Sequence, residues 1–409
     1  MSFHLFERFG IELEYMIVDR ETLAVRPIAD RLLASVSPSG EPESEVDLGP
    51  ISWSNELAAH VVELKTTEPV ASLSGLAGQF QEHLGRMDAI LAPMGACLLP
   101  TAMHPLMDPN TEAKLWPHDF GPIYRTFDRI FDCRGHGWSN LQSMHINLPF
   151  CGDEEFARLH AAIRLILPIL PALAASSPIV EGRISGLLDT RLEFYRHNCR
   201  RVPEVTCRVI PEPAFSRAEY NRLIFEPMYA AIAPLDPEGI LRHEWLNARG
   251  AIARFDRSAI EIRLLDVQEC PRADLAIASL VVEAVRGLVE ERWSSTETQR
   301  SIPVEVLEPI FLDCLRNGER ARIDDPAYRD CFGLDVAIDA GGLWRRLFAS
   351  LRTTTGLISE AEEPLELLLD RGPLARRILE AVGPEPDRSA IVRTYDTLGR
   401  CLLDDRLFR

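Results

Sequence analysis

Acidic and apolar positions alternate along Gly10-Ile11-Glu12-Leu13-Glu14-Tyr15. A period of two marks a strand with two unlike faces, and Phe9 to Val18 reads as one. The polar, Pro- and Gly-containing stretch Ser37 to Pro50 reads as a loop, and Ala58 to Thr66 as a second strand. Between Leu73 and Leu91 the period changes: Leu76, Phe80, Leu84, Met87 and Leu91 fall on one side of a helix. Leu98 to Asp108 reads as a strand running into a Pro-containing loop, Tyr124 to Phe131 as a short helix, and Ser143 to Leu148 as a strand. A helix capped by Asp153 runs towards Ser176, with Pro168 and Pro171 expected to kink it. Arg254 to Leu265 reads as one strand, and Arg272 to Glu291 as a strongly apolar helix.

After Trp293 the pattern turns helical, over Val304 to Arg316, Gly342 to Leu351, Ala361 to Leu369 and Ser389 to Leu402. The expected organisation is a catalytic domain over 1–293 and a helical extension over 294–409, packed on the same domain or standing apart from it. No internal repeat or long linker separates them. Strands and helices that do not alternate strictly predict an α+β fold.

Composition narrows the function classes. The chain has 409 residues, with 46% hydrophobic and 26% charged, as in ordinary globular enzymes. Its net charge of −18 repels nucleic-acid phosphate and anionic membrane, so neither is expected as a partner. The same field repels ATP, so a nucleotide site here must gather its own cations. The nine cysteines are scattered without a CxxC pair, which disfavours structural zinc and suits a reducing cytoplasm. No signal peptide or membrane-length apolar run is read. There is no phosphate-cradling Gly-x-x-x-x-Gly-Lys-Ser/Thr loop, no dinucleotide-type Gly-x-Gly-x-x-Gly before a helix, and no Gly-x-Ser-x-Gly elbow.

The chemistry sits in the strand-like segments. Glu12 and Glu14 project from one face of their strand, roughly 7 Å apart. Such a pair is also ordinary on a solvated surface. Glu56 follows Asn55, and Glu63 lies within Val62-Glu63-Leu64; on one continuous strand they would face opposite ways, so a bend must lie between them. His145 and Asn147 alternate with Met144, Ile146 and Leu148, and Glu261 and Arg263 alternate with Ile260, Ile262 and Leu264. Two like charges 4 Å apart cost about 4 kcal/mol at an effective dielectric near 20. Converging carboxylates therefore require divalent cations, and oxygen ligands with one imidazole suit Mg²⁺ or Mn²⁺ bridging to phosphate. Arg249, Arg254 and Arg263 supply guanidinium forks suited to phosphate oxygens, and Gly250 and Ala251 between them leave room for a phosphate to approach the backbone.

The ordered set resembles the glutamate–cysteine ligase-like carboxylate–amine ligases of the glutamine synthetase superfamily. The matching segments are Gly10 to Glu14, Asn55-Glu56 with Val62-Glu63-Leu64, Met103-His104-Pro105, and Met144-His145-Ile146-Asn147. Ala175-Ser176-Ser177-Pro178 with Glu181-Gly182, Asp189-Thr190 with Tyr195-Arg196, and Ile260 to Asp266 complete the series. They cover roughly residues 9 to 290. The resemblance implies a curved antiparallel sheet with a concave active-site face, flanked by helices. It implies metal ligation by Glu12, Glu14, Glu56, Glu63, His145 and Glu261. It implies phosphate or nucleotide contact by Arg249, Arg254, Arg263 and Asn147, with Arg254 and Arg263 as the catalytic pair, and substrate contact by Arg196 and His104. ATP, Mg²⁺ or Mn²⁺, an amino-acid carboxylate and an amine are the implied ligands, and homo-oligomers are common in the superfamily. Two departures stand out: Asn147 where the family often has a second histidine, and a longer Arg183 to Leu188 stretch. A phosphotransferase of the same superfamily and a catalytically silent binding protein are the alternatives.

Overall fold

The computed structural model describes residues 3–354 and 357–409. Its centre is an antiparallel sheet of eight strands: β1 Gly10–Asp19, β2 Glu45–Asp47, β3 Ile51–Asn55, β4 Val61–Thr66, β5 Ala96–Leu99, β6 Ser143–Pro149, β7 Ala251–Arg254 and β8 Ala259–Asp266. The order is β2-β3-β4-β1-β6-β8-β7. β5 pairs with Met16 to Asp19 of β1, beyond the residues that pair with β6.

β1 shows why alternation was informative. Ile11, Leu13, Tyr15 and Ile17 enter the main core, fully buried. Behind that face pack the helices Leu76–Leu91, Gly152–Ile166 and Pro271–Val289. On the opposite face of β1 the two halves differ. Glu12 and Glu14 stand in the first half; Met16 and Val18 in the second are covered by Ile378, Ile391, Tyr395 and Leu398 from the helices Leu374–Val382 and Arg388–Leu403.

Several expectations are corrected. The loop over Ser37 to Pro50 contains the short β2. Ala58 to Thr66 narrows to β4, and the chain turns between β3 and β4, so that Ser54 pairs with Glu63. That turn is the bend that Glu56 and Glu63 required. Arg254 to Leu265 is not one strand but the β7–β8 hairpin, because Phe255 to Ser258 turn the chain, with Ser258 at φ 53°. The helix at Asp153 begins at Gly152, with Cys151 in the cap position. Asp153 sits instead in the first turn, with Glu154 and Glu155, where carboxylates complement the helix dipole. Two short strands in the tail, Arg322–Ile323 and Ile338–Asp339, pair in a small ladder.

The predicted proline kink is present. The helix stops at Ile166, a 3-10 turn spans Leu167–Ile169, and a short helix resumes over Pro171–Ala174. Proline offers no N–H, so carbonyls there need other donors. Tail side chains provide two: Tyr328 Oη donates to the Leu165 carbonyl at 2.7 Å, and Trp344 Nε1 to that of Ile169 at 2.8 Å. The main core accordingly runs from Phe9 through Trp344 to Leu402. Among the described residues no helix is long and apolar enough to cross a membrane.

Candidate functional site

Antiparallel register brings the acids together. Glu14 lies opposite Glu63, and Glu12 opposite both Lys65 and His145; Glu261 lies opposite Asn147. Directly opposed residues share a sheet face, so four neighbouring strands, β4, β1, β6 and β8, contribute to one acidic wall. Gly10 faces Asn147 across the β1–β6 pair, and a Cβ on Gly10 would stand 3.0 Å from that of Asn147.

β8 adds an irregularity that sequence periodicity could not show. Its pairing with β6 shifts by one residue between Ile262 and Leu265. A bulge reverses the alternation beyond it. Glu261 and Asp266, five apart, therefore both come to the acidic face, Asp266 opposite Ser143. Gly250 serves this bulge rather than a phosphate: a Cβ there would lie 2.5 Å from Leu264, and the Gly250 carbonyl accepts from Arg263 N–H at 2.9 Å.

His145 joins the acids. Its Nδ1 is 2.8 Å from Glu12 and 3.8 Å from Glu261, and its Nε2 is 3.8 Å from Glu14. Asn147 donates to the other Glu12 oxygen at 3.0 Å. Ligand atoms of Glu12, His145 and Glu261 lie within 4.8 Å of one another, and so do those of Glu14, Glu63 and His145. Arg263 Nε stands 3.1 Å from Glu261, and Arg254 Nη1 3.6 Å from its other oxygen. Glu56 closes the wall near Glu14 and Glu63.

So much negative charge is held only by sharing positive charge. Burial opposes ionisation of Glu12, but the His145 hydrogen bond and charge, with Lys65, pull it down to about 2. Burial likewise opposes the His145 imidazolium, yet the Glu12 hydrogen bond and the charges of Glu14 and Glu12 lift it to about 9. Burial and the Glu12 charge push Glu63 up to about 7. Burial, then Glu14 and Glu63, hold Glu56 well above the usual carboxylate range. The wall thus retains protons where it has too few cations. Hard oxygens with one imidazole fit a divalent ion such as Mg²⁺ or Mn²⁺, which would take the place of those protons.

Three expected contacts are not brought to this wall. Arg249 is buried with its Nε and Nη2 each 2.6 Å from Glu212, and its Nη1 bonds the Glu204 carbonyl and Asn247; its fork is saturated by protein. His104 is buried: its Nε2 meets the Leu23 carbonyl at 2.7 Å and its Nδ1 accepts from Leu106 N–H. Burial drives it down to about 4, so it is a neutral structural histidine. Arg196 pairs with Glu193 on its own helix, Thr190–Tyr195, at a half-exposed position.

Other residues of the site escaped the sequence reading. Arg191, buried in that same helix, is 2.5 Å from Asp266 and lines the cavity beside the acids. Ser143 donates from both N–H and Oγ to Glu14. Lys65 lies 3.3 Å from Glu63 and 2.8 Å from Glu45. Alternation from Glu63 along β4 would have found Lys65; Arg191 had no comparable signal.

A cavity of about 220 Å³ opens on the Glu14 side of the wall, and a second, of about 430 Å³, on the Glu12 side. The first is bordered by Glu14, Glu56, His145 and Arg263; the second includes Glu12, Asn147 and Lys65.

The model of glutamate-cysteine ligase family 2 matches residues 8–397. The chain belongs to glutamate–cysteine ligase family 2. A protein of Archaeoglobus fulgidus, described only as uncharacterized, is 34% identical over 397 residues, covering 96% of this chain and 98% of its own. The glutamate–cysteine ligase of Francisella tularensis, solved in complex with AMP, superposes with a TM-score of 0.60 at 13% identity, covering 98% of this chain and 90% of that one. At that identity the likeness is one of fold. The match of glutamate–cysteine ligase family 2 runs past Trp293 into the tail, consistent with the shared core described above.

Proposed function

We propose that this protein is an ATP-dependent carboxylate–amine ligase. It forms an amide through an acyl phosphate, with glutamate the favoured acid and an amino compound the acceptor. The observation that carries the reading is the convergence of Glu12, Glu14, Glu63, His145 and Glu261 with Arg254 and Arg263 on one sheet face, in a member of glutamate–cysteine ligase family 2.

In the first step a carboxylate oxygen attacks the terminal phosphorus of ATP. The bond from that phosphorus to the bridging oxygen breaks, and ADP leaves with the electron pair. In the second step the amine nitrogen attacks the acyl carbon, the carbon–oxygen bond to phosphate breaks, and phosphate leaves. Carboxylate, ATP and ammonium yield amide, ADP, hydrogen phosphate and one proton.

Glu12, His145 and Glu261 would hold one divalent cation, and Glu14, Glu63 and Glu56 a second. When bound, such ions neutralise phosphate charge and polarise the transferring group. The protein's own part is orientation and charge placement. Arg263 stays cationic: burial opposes this, but Tyr195, Glu261, Glu14 and Glu56 more than offset it. Beside Glu261, it and Arg254 are disposed to stabilise the charge that spreads over phosphoryl oxygens. Asn147 and His145 fix the Glu12 carboxylate. On the Glu12 side, Arg8, Lys65 and Arg257 around the larger cavity suit the nucleotide's polyphosphate.

The test is phosphate release from ATP with glutamate and a panel of amines, with and without Mg²⁺. Release that needs metal, acid and amine together supports the ligase. Normal turnover in both Glu12→Gln and Glu261→Gln would sink the site assignment. A stable phosphorylated product without release on amine addition would make the protein a phosphotransferase instead.

A further inference from the structure

The smaller cavity has two unlike kinds of lining. The Glu14 and Glu56 carboxylates are one. Glu14 accepts from Ser143, but Glu56 forms no ion pair among the described residues, and only the Leu57 N–H approaches its carboxylate, at 3.4 Å. The half-buried rings of Tyr124, Phe127, Trp138 and Trp245 are the other. They support one another: Phe127 is 5.4 Å from Trp138 and 5.8 Å from Trp245, centroid to centroid, and Trp138 stacks on Phe131. A cluster held this way keeps its shape without ligand, so little ordering is needed on binding.

Two polar tips in this lining have no hydrogen-bond partner among the described residues. Tyr195 is only 9% exposed, and its hydroxyl makes no hydrogen bond among the described residues; neither does the buried Trp138 Nε1. Buried donors are seldom left unpaired, so a polar atom of a bound molecule is the natural complement. The rings favour a broad apolar or aromatic body and attract cationic groups besides. Cysteine's short side chain would leave most of this apolar wall wet.

We infer that the acceptor amine of this protein is a primary amine with a bulky apolar or aromatic side chain, its body among Tyr124, Phe127, Trp138 and Trp245 and its nitrogen turned towards the acidic wall where the acyl phosphate forms. This rests on the ligase reading above and narrows its second substrate away from cysteine. The acceptor then enters the same second step: its nitrogen forms the amide bond as phosphate leaves.

The experiment uses the full chain with Mg²⁺, ATP and glutamate. Phosphate release is compared for 2-phenylethylamine, tyramine and phenylalanine against cysteine, alanine and ammonia. The expected result is a kcat/KM for the best aromatic amine about tenfold or more above that for cysteine, the order of discrimination an apolar pocket supplies. Phe127→Leu and Trp245→Leu should each raise the KM for that amine about tenfold while the KM for ATP stays within about twofold. Equal or better use of cysteine or alanine would overturn the inference, as would variants that leave the aromatic preference intact.

A second readout separates this inference from the reading beneath it. If no acid and amine release phosphate, the ligase reading fails, and quenching of tryptophan emission by 2-phenylethylamine judges the pocket alone. Saturable quenching that Trp245→Leu abolishes supports an aromatic-amine site; absence of saturable quenching overturns it.

Discussion

Asp266 and Glu12 stand on the same sheet face, and their charges are handled in opposite ways. Asp266 meets Arg191 at 2.5 Å and accepts from Ser176 N–H and Ser177 Oγ. Glu269 pairs with Arg377 at 2.6 Å, and Glu212 with Arg249 at 2.6 Å. Each of these three acids is paired with an arginine. Around Glu12 no such one-to-one matching holds: Glu12, Glu14, Glu56, Glu63 and Glu261 share His145, Arg254, Arg263 and Lys65. Balanced pairs fix a geometry. An unbalanced set is costly to fold and is kept where something else supplies the missing charge.

The sharpest way to break the comparison is to neutralise one acid on each side. Glu56→Gln should cut Mg²⁺-dependent phosphate release about a thousandfold, with the thermal midpoint unchanged or raised, because burial and the charges of Glu14 and Glu63 already disfavour its ionised form. Asp266→Asn should do the reverse to stability. It strips buried Arg191 of its bonded carboxylate, leaving it the Arg263 carbonyl and the Asp189 charge, at a cost of about 3 kcal/mol read from denaturant unfolding. Comparable destabilisation in Glu56→Gln would erase the distinction.

The arginines give the next contrast. Arg263→Met should lower kcat about a hundredfold and leave the denaturant midpoint near its original value. Arg249→Met should lower stability by about 3 kcal/mol, since Glu212 is left without its fork, and leave the metal dependence of turnover intact. A loss of phosphate transfer in correctly folded Arg249→Met would return that residue to the site.

Buried histidines give a smaller, pH-dependent effect. Burial lowers His60 and His104 to about 4, from an ordinary 6.5. Above 6.5 both are neutral folded and unfolded, and contribute no slope. As pH falls below 6.5 the unfolded chain takes up protons that the native protein refuses, so stability drops, and this contribution levels off below about 4. Each histidine accounts for about 1.4 kcal/mol per pH unit within that window. His104→Gln should remove one such contribution from the pH dependence of the unfolding free energy. Smallest of all, Arg196→Ala should change stability by about 0.5 kcal/mol or less, because its partner Glu193 is solvent-exposed. It should also leave turnover unaltered.

The acidic wall was legible because strand alternation is local. Glu12 with Glu14, His145 with Asn147, and Glu261 with Arg263 each announce a shared face within three residues. Their convergence could be suspected only from the ordered family motifs. What failed was anything decided by a distant partner. Arg249 looks like a phosphate ligand until Glu212, 37 residues away, is seen to occupy it. Arg191 was overlooked because its meaning depends on Asp266, 75 residues on. Asp266 itself reaches the site face only through a one-residue bulge, which no periodic reading of β8 contains. Gly250 was read for backbone access, whereas Leu264 of that bulge fills the space beside it.

The proline break after Ile166 has a consequence for how the protein is made. Its carbonyls at Leu165 and Ile169 wait for Tyr328 and Trp344, which lie 163 and 175 residues further along the chain. A nascent polypeptide emerging from the ribosome therefore carries a central core segment that stays incompletely satisfied for much of its synthesis. Contacts of such sequence separation form slowly, and the waiting surface is apolar. The sheet that bears the chemistry is finished by Asp266, but its helical backing is sealed only when the late-arriving tail docks.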